Sequence, residues 1–254
     1  MKEKKTIKSI IVVAVILGLW TVISATGIFS SYVFPGPGKV WRAFLKMLST
    51  GELLKNTAAS LMRVFAGFFI AFAIAFLLGI AACLFPRSEP YYRPILEFLR
   101  HIPPMSLIPL LILWFGIGEA VKTIIIVLTA FFPIFMNTEA GLKSCDRKLL
   151  EVGEMIHMSS VQRFFKIRLP AALPEILIGM QIGLGYSWRA IVSAEMIAAI
   201  SGLGYMILDA QAMSRSDKVV VGIIVIGLLG LLMDGCFNVI IKKLVGEREN
   251  RNES

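Results

Sequence analysis

Residues 151–174 read EVGEMIHMSSVQRFFKIRLPAALP, a charged amphipathic stretch that ends on Leu-Pro between two long apolar runs. Apolar runs of roughly 20 residues are long enough to cross a bilayer. If the flanking runs do so, this stretch must lie outside the lipid. The composition agrees: the 254 residues are 57% hydrophobic and only 17% charged, whereas a soluble domain carries about a quarter charged residues. The runs are continuous, without the apolar-polar alternation of a membrane β-barrel. The fold class is therefore all-α, a polytopic membrane protein.

Working outward, about six transmembrane helices are expected, near residues 9–28, 59–85, 95–116, 121–139, 173–199 and 218–241. Met1 to Ser24 has the basic start and apolar run of a signal peptide. The run reaches spanning length and lacks a clean small-x-small site before Phe29, so it reads as a retained first span. The third run is interrupted by Pro103, Pro104 and Pro109. Proline removes a backbone donor and clashes with the preceding turn, and broken backbone at membrane depth is tolerated only inside protein or beside a wet cavity. This segment either faces the bundle interior or a translocation path, or is a short interfacial helix followed by a span from near Ser106.

Six spans put both termini on one side. With the termini cytoplasmic, inside segments hold 17 Lys and Arg and outside segments 7, as the positive-inside rule requires. The first outer loop, KVWRAFLKMLSTGELLKN, is itself basic and amphipathic, and is expected to lie on the membrane surface as a helix. The chain reads as one transmembrane domain, residues 1–254, with a core of about 55–245 and a cytoplasmic loop of about 143–170.

Several chemistries find no support. No basic patch is interleaved with aromatics, so nucleic acid is not an expected partner. Cys83, Cys145 and Cys236 are far apart without a CxxC pair, and His101 and His157 are the only histidines; neither a metal site nor a disulfide framework is expected. The one Gly-Lys pair, Gly38-Lys39, lacks the rest of a phosphate-binding loop, so no cofactor is expected on this chain. Scattered carboxylates form no catalytic constellation.

The loop has helical pattern from Asp146, a suitable N-cap. Leu149, Val152 and Ile156 share one face and Glu151 and Glu154 another. A second short helix, SVQRFFKIRL, is expected from Ser159 or Ser160 and to end before Pro170. Here the sequence resembles the bacterial ABC importer permeases, whose cytoplasmic loop carries E-A-A-x(3)-G-x(9)-I-x-L-P. Glu151, Ile167, Leu169 and Pro170 match; Val152 and Gly153 replace the two alanines and His157 replaces the glycine. IPPMSLIPLLILWFGIGEAVKTIII, FFPIFMNTEAGLKS and WRAIVSAEMIAAISGLGYMILDA look like the third to fifth spans of permeases in the nitrate, sulfonate and taurine group.

The resemblance implies a type I ABC importer permease fold. It also implies a homodimer (or a pair with a close paralogue), two ATPase subunits that bind ATP and Mg, and an extracytoplasmic substrate-binding protein. The loop would be a coupling helix seated in an ATPase groove, with Glu151 as polar anchor and Val152, Met155 and Ile156 as apolar contacts. A left-handed turn belongs at the family glycine, which His157 can adopt only at a cost. The implied substrate is a small anion such as nitrate, sulfonate or taurine, with a thiamine- or riboflavin-related precursor as the alternative. A stand-alone channel or carrier is the rival class.

Charges within spans are costly and functional candidates by default. Arg189 could hold an oxyanion, stabilise a dimer, or pair with Asp234 or Glu97. Glu195 lies six residues on, off the same stripe, as a structural or gate-lining group. Gly202 and Gly204 lie in SGLGY, an ordinary turn or, by the resemblance, a re-entrant gate. Trp114 could line the path with Pro103 and Pro104, or join an aromatic belt.

Overall fold

The computed structural model describes the backbone of residues 2–28 and 30–252 and the side chains of residues 11–28 and 30–244. Every regular element among them is helical. In chain order they are α1 (Lys2–Ala25), α2 (Pro37–Ser49), α3 (Glu52–Leu84), α4 (Glu89–Arg100), α5 (Ile108–Phe115), α6 (Glu119–Lys143), α7 (Arg147–Met155), α8 (Ser160–Arg163), α9 (Leu169–Ala198), α10 (Leu203–Ala212) and α11 (Ser216–Asn252).

Among the described residues four helices are long and apolar enough to cross a membrane: Glu52–Leu84, Glu119–Lys143, Ser160–Ala198 and Ser216–Leu244. The expected third span is not one helix. Pro86–Arg100 and Pro104–Phe115 meet at a bend of 84°. The cause is local: a proline disfavours helical geometry in the residue before it, and Pro103, preceding Pro104, is extended with ψ 122°. The first expected span, near 9–28, is helical to Ala25, with Ile11–Ala25 as its described apolar part; Phe29 lies outside the described residues.

The chain divides into two compact units. One comprises Met1–Ala59 and Ile200–Leu228, the other Ser60–Ala199 and Leu229–Ser254. In the first, α2 begins with Pro37 at a position where a missing N–H costs nothing. It buries Val40, Ala43 and Met47, one face at helical spacing. Lys218 closes a pair with Glu52 at 2.7 Å, and Gly202 N–H donates to Asn56 Oδ1 at 2.8 Å.

The second unit is built around α6, with glycines setting the distances. A Cβ on Gly67 or Gly79 of α3 would lie 2.7 Å from Ile126 or 2.8 Å from Thr138. One on Gly179 of α9 would lie 2.6 Å from Asn137 Cβ and 2.9 Å from the Pro133 carbonyl. Gly141 of α6 returns the arrangement against Glu175, at 2.7 Å. Small residues allow close backbone approach, which drives association where lipid removes any hydrophobic advantage.

Candidate functional site: the amphipathic loop and the charged spans

Asp146 caps α7 as expected, its side chain accepting from the Lys148 N–H at 2.9 Å. Ser159 starts α8 with a reciprocal capping box: its hydroxyl accepts from Gln162 N–H, and the Gln162 side chain accepts from Ser159 N–H. One expectation needs correcting. The second helix does not end before Pro170 but runs on into α9. Phe164–Arg168 form a single π turn in which Leu169 N–H reaches back to the Phe164 carbonyl. The wider turn is the kind of local adjustment that lets a helix pass a proline. The loop is thereby continuous with a 39-residue helix, Ser160–Ala198.

Between the two helices, His157 takes the left-handed conformation, φ 56°. His157 N–H bonds the Glu154 carbonyl and Met158 N–H the Gly153 carbonyl, both at 2.9 Å. Together these are the two bonds of a Schellman termination. Histidine thus adopts the left-handed turn that the resemblance implies at this position. Gly153 is buried, and a Cβ there would come 2.8 Å from Ile167 Cδ1. The early and late parts of the sequence pattern are therefore one contact, with Gly153 backing onto Ile167. Arg163 pairs with Glu154 and braces α7 against α8.

What this frame presents outward is apolar. Val152, Met155 and Ile156 are 54%, 80% and 64% exposed, as are Leu149, Val161 and Phe165 in similar degree. Glu151 meets Arg147 at 3.1 Å with both side chains mostly in solvent, a pairing worth under about 1 kcal/mol and easily exchanged. Beside it a cavity of about 430 Å³ is lined by Arg147, Glu151, Glu154, Arg163 and Arg168. Leu169 and Pro170 are half-buried, at the start of α9.

Inside the spans, Glu195 is 1% exposed. It accepts hydrogen bonds from Ser60 at 2.8 Å and from Arg63 at 2.8 Å. Arg63 also grips Glu119 at 2.7 Å, and Glu119 holds Lys122, 2% exposed, at 2.6 Å. Charges from α3, α6 and α9 thus neutralise one another at the N-terminal end of α6. Sequence reasoning placed Glu195 as structural or gate-lining but missed its partners. The signal was present, since Arg63, Lys122 and Glu195 are ionisable groups within apolar runs that must find counter-charges. A second cluster sits at the other end of α6, where Tyr92 donates to Glu139 at 2.6 Å and Lys143 joins Glu139 and Glu89.

Arg189 is not part of either cluster. It is exposed, with its guanidinium 5.8 Å from the Tyr186 ring centre, and among the described residues it forms no ion pair with Asp234 or Glu97. Pro103 and Pro104 sit at the sharp bend. Trp114 is exposed at the end of α5. Gly202, φ 116°, caps α10, and Gly204 is buried within it; the SGLGY stretch therefore opens a helix rather than a bare turn.

The family described as "Binding-protein-dependent transport system inner membrane component" matches residues 75–246. A Bacillus subtilis (strain 168) protein named as an aliphatic sulfonates transport permease is 37% identical over 243 residues, 96% of this chain and 88% of that protein. The taurine transport system permease protein of Escherichia coli (strain K12) is 36% identical, over 89% of this chain and 84% of that protein. The nitrate import permease protein of Leptolyngbya laminosa is 28% identical, over 97% and 90%. Among solved structures, the inward-facing MetNI methionine ABC transporter aligns with TM-score 0.61 at 17% identity, covering 74% of this chain and 96% of that chain. That likeness is one of fold.

Proposed function

The chain belongs to the binding-protein-dependent transport system inner membrane components, and on that premise we propose that two copies form a translocation path driven by two separate ATPase subunits. It is a membrane-spanning permease subunit of an ABC importer, a transport subunit rather than an enzyme, and its family works with ATPase and binding-protein partners. ATP and magnesium belong on the ATPase. The termini face the cytoplasm, which the distribution of Lys and Arg supports.

The observation that carries the ATPase contact is α7. A helix capped at one end by Asp146, closed at the other by the Schellman turn and backed by Gly153 on Ile167 exposes Val152, Met155 and Ile156. Exposed apolar residues rimmed by polar ones mark interaction sites. Because Gly153 of α7 backs onto Ile167 and α8 runs through Pro170 into α9, a push on α7 reaches a membrane span through packed helix rather than through slack loop, the requirement for a rigid-body switch. The substrate is a small oxyanion of the sulfonate type, with taurine and nitrate as chemically close candidates. Support comes from the relatives named for these anions and from the exposed Arg189 guanidinium, whose fork suits a sulfonate.

The test is co-expression with the ATPase and purification through a tag on the permease. Wild type carries the ATPase along. Met155→Asp and Glu151→Lys each reduce its recovery at least tenfold, the order expected for loss of a central interface contact. Full recovery in both variants would sink the docking assignment.

A further inference from the structure

The first unit contains an apolar groove unrelated to the coupling loop. Its cavity of about 250 Å³ is lined by Trp20 of α1, by Val40, Trp41 and Phe44 of α2, and by Val221, Val225 and Leu228 of α11 among others. The lining is almost wholly hydrocarbon and aromatic. Trp20 Nε1 donates to the Pro35 carbonyl at 3.0 Å, and Trp41 stacks on Phe44 with ring centres 5.4 Å apart, so the aromatic wall is fixed. The volume falls below the 300 Å³ or so at which pockets begin to hold drug-sized molecules, which favours a narrow occupant.

Across α2 from this groove stand three cations. Pro37, Val40, Trp41 and Phe44 form the groove stripe at helical spacing, while Lys39, Arg42 and Lys46 occupy the opposite arc. Arg42 and Lys46 are exposed. Lys39 is held by the Ser31 carbonyl at 3.1 Å and over the Tyr32 ring. An apolar arc with Trp and a basic arc opposite it is the make-up of a helix lying in the headgroup plane, apolar side down.

We propose that this groove binds one acyl chain of an anionic phospholipid, with the phosphate drawn to the basic arc of α2. The aromatic slot alone would accept any acyl chain. The cations supply charge complementarity, which selects the anionic headgroup. The site requires only that the chain spans a membrane and is independent of the transported solute.

Quenching of tryptophan fluorescence by brominated acyl chains tests the idea. The protein carries Trp114→Phe to remove the exposed tryptophan elsewhere; Trp188 is buried. It is reconstituted in phosphatidylcholine vesicles containing a minor share of either dibrominated phosphatidylglycerol or dibrominated phosphatidylcholine. Phosphatidylglycerol is expected to quench at a several-fold lower mole fraction. Arg42→Gln with Lys46→Gln, both on the exposed surface, removes that several-fold preference, so that the two lipids quench alike. Val225→Phe fills the groove and removes the preferential quenching while leaving the basic arc intact. Equal quenching by both headgroups in wild type overturns the proposal, leaving only ordinary surrounding lipid. Absence of quenching also overturns it, because the groove is then covered by protein such as a second copy of this chain.

Discussion

His157 holds φ 56° while closing both bonds of the turn between α7 and α8. A left-handed backbone costs a residue with a Cβ about 1–2 kcal/mol that glycine does not spend. His157→Gly is therefore expected to stabilise the turn by about 1 kcal/mol. Hydrogen exchange at the Met158 amide, which bonds the Gly153 carbonyl, should slow roughly fivefold for that gain; unchanged or faster exchange would show that the imidazole itself holds the turn. Glu195 presents the opposite case, a side chain whose removal is costly. It is enclosed, with Ser60 and Arg63 donating to it, and deleting one partner of a buried pair costs about 3–5 kcal/mol because the other charge is left stranded. Glu195→Ala should lower thermal stability in detergent by that order. Glu195→Gln, which keeps one acceptor oxygen, should fall in between. A Glu195→Ala protein that melts with wild type would show that Glu119 alone satisfies Arg63.

At the scale of helices, α6 is held by glycines along its length and by ion clusters at both ends. Gly179→Ala should destabilise by about 1–3 kcal/mol, the usual cost of overpacking, because its Cβ meets the Pro133 carbonyl, which cannot rotate away. Gly227 of α11 has nothing within 4 Å of a built Cβ, so Gly227→Ala should be neutral or slightly stabilising through helix propensity. Melting curves of the two variants side by side make the comparison, and equal shifts would mean that propensity rather than packing decides. This level also shows how far the sequence could be read. Long apolar runs announced the spans, and Asp146 and Ser159 announced the loop helices, because capping is chemistry between neighbours in sequence; the Gln162 half of the capping box went unread. The bend at Pro103-Pro104 was visible as a break, though not as an 84° corner. The run-through at Pro170 was misread because a π turn five residues long offers an escape that single-residue rules for proline ignore. The Arg63–Glu195 pairing and the Gly153–Ile167 contact were illegible for a different reason. They join residues 132 apart in one case and lie across a turn in the other, and neither follows from local periodicity.

At the scale of the whole molecule, the charge that bears on transport is that of the exposed Arg189. Along α9 the residues Ile178, Ile182, Tyr186 and Ile197 are exposed at helical spacing, and Arg189 shares their face. A cation on an otherwise apolar face of a span is expensive in lipid, so this face is better suited to water or to protein than to hydrocarbon. Tyr186 stands one turn away on the same arc of α9, with its ring centre 5.8 Å from the guanidinium. If that arc presents the fork to the solute, Arg189→Ala should abolish uptake in proteoliposomes while the ATPase still co-purifies, since the loop proposed to dock it is untouched. Arg189→Lys should recover only part of the rate, and with a raised KM, because an ammonium keeps the charge but cannot make two parallel bonds to a sulfonate. Loss of assembly in Arg189→Ala would instead assign the residue to holding the two copies together. Full recovery by lysine would reduce its role to electrostatic attraction, for which the planar geometry is irrelevant.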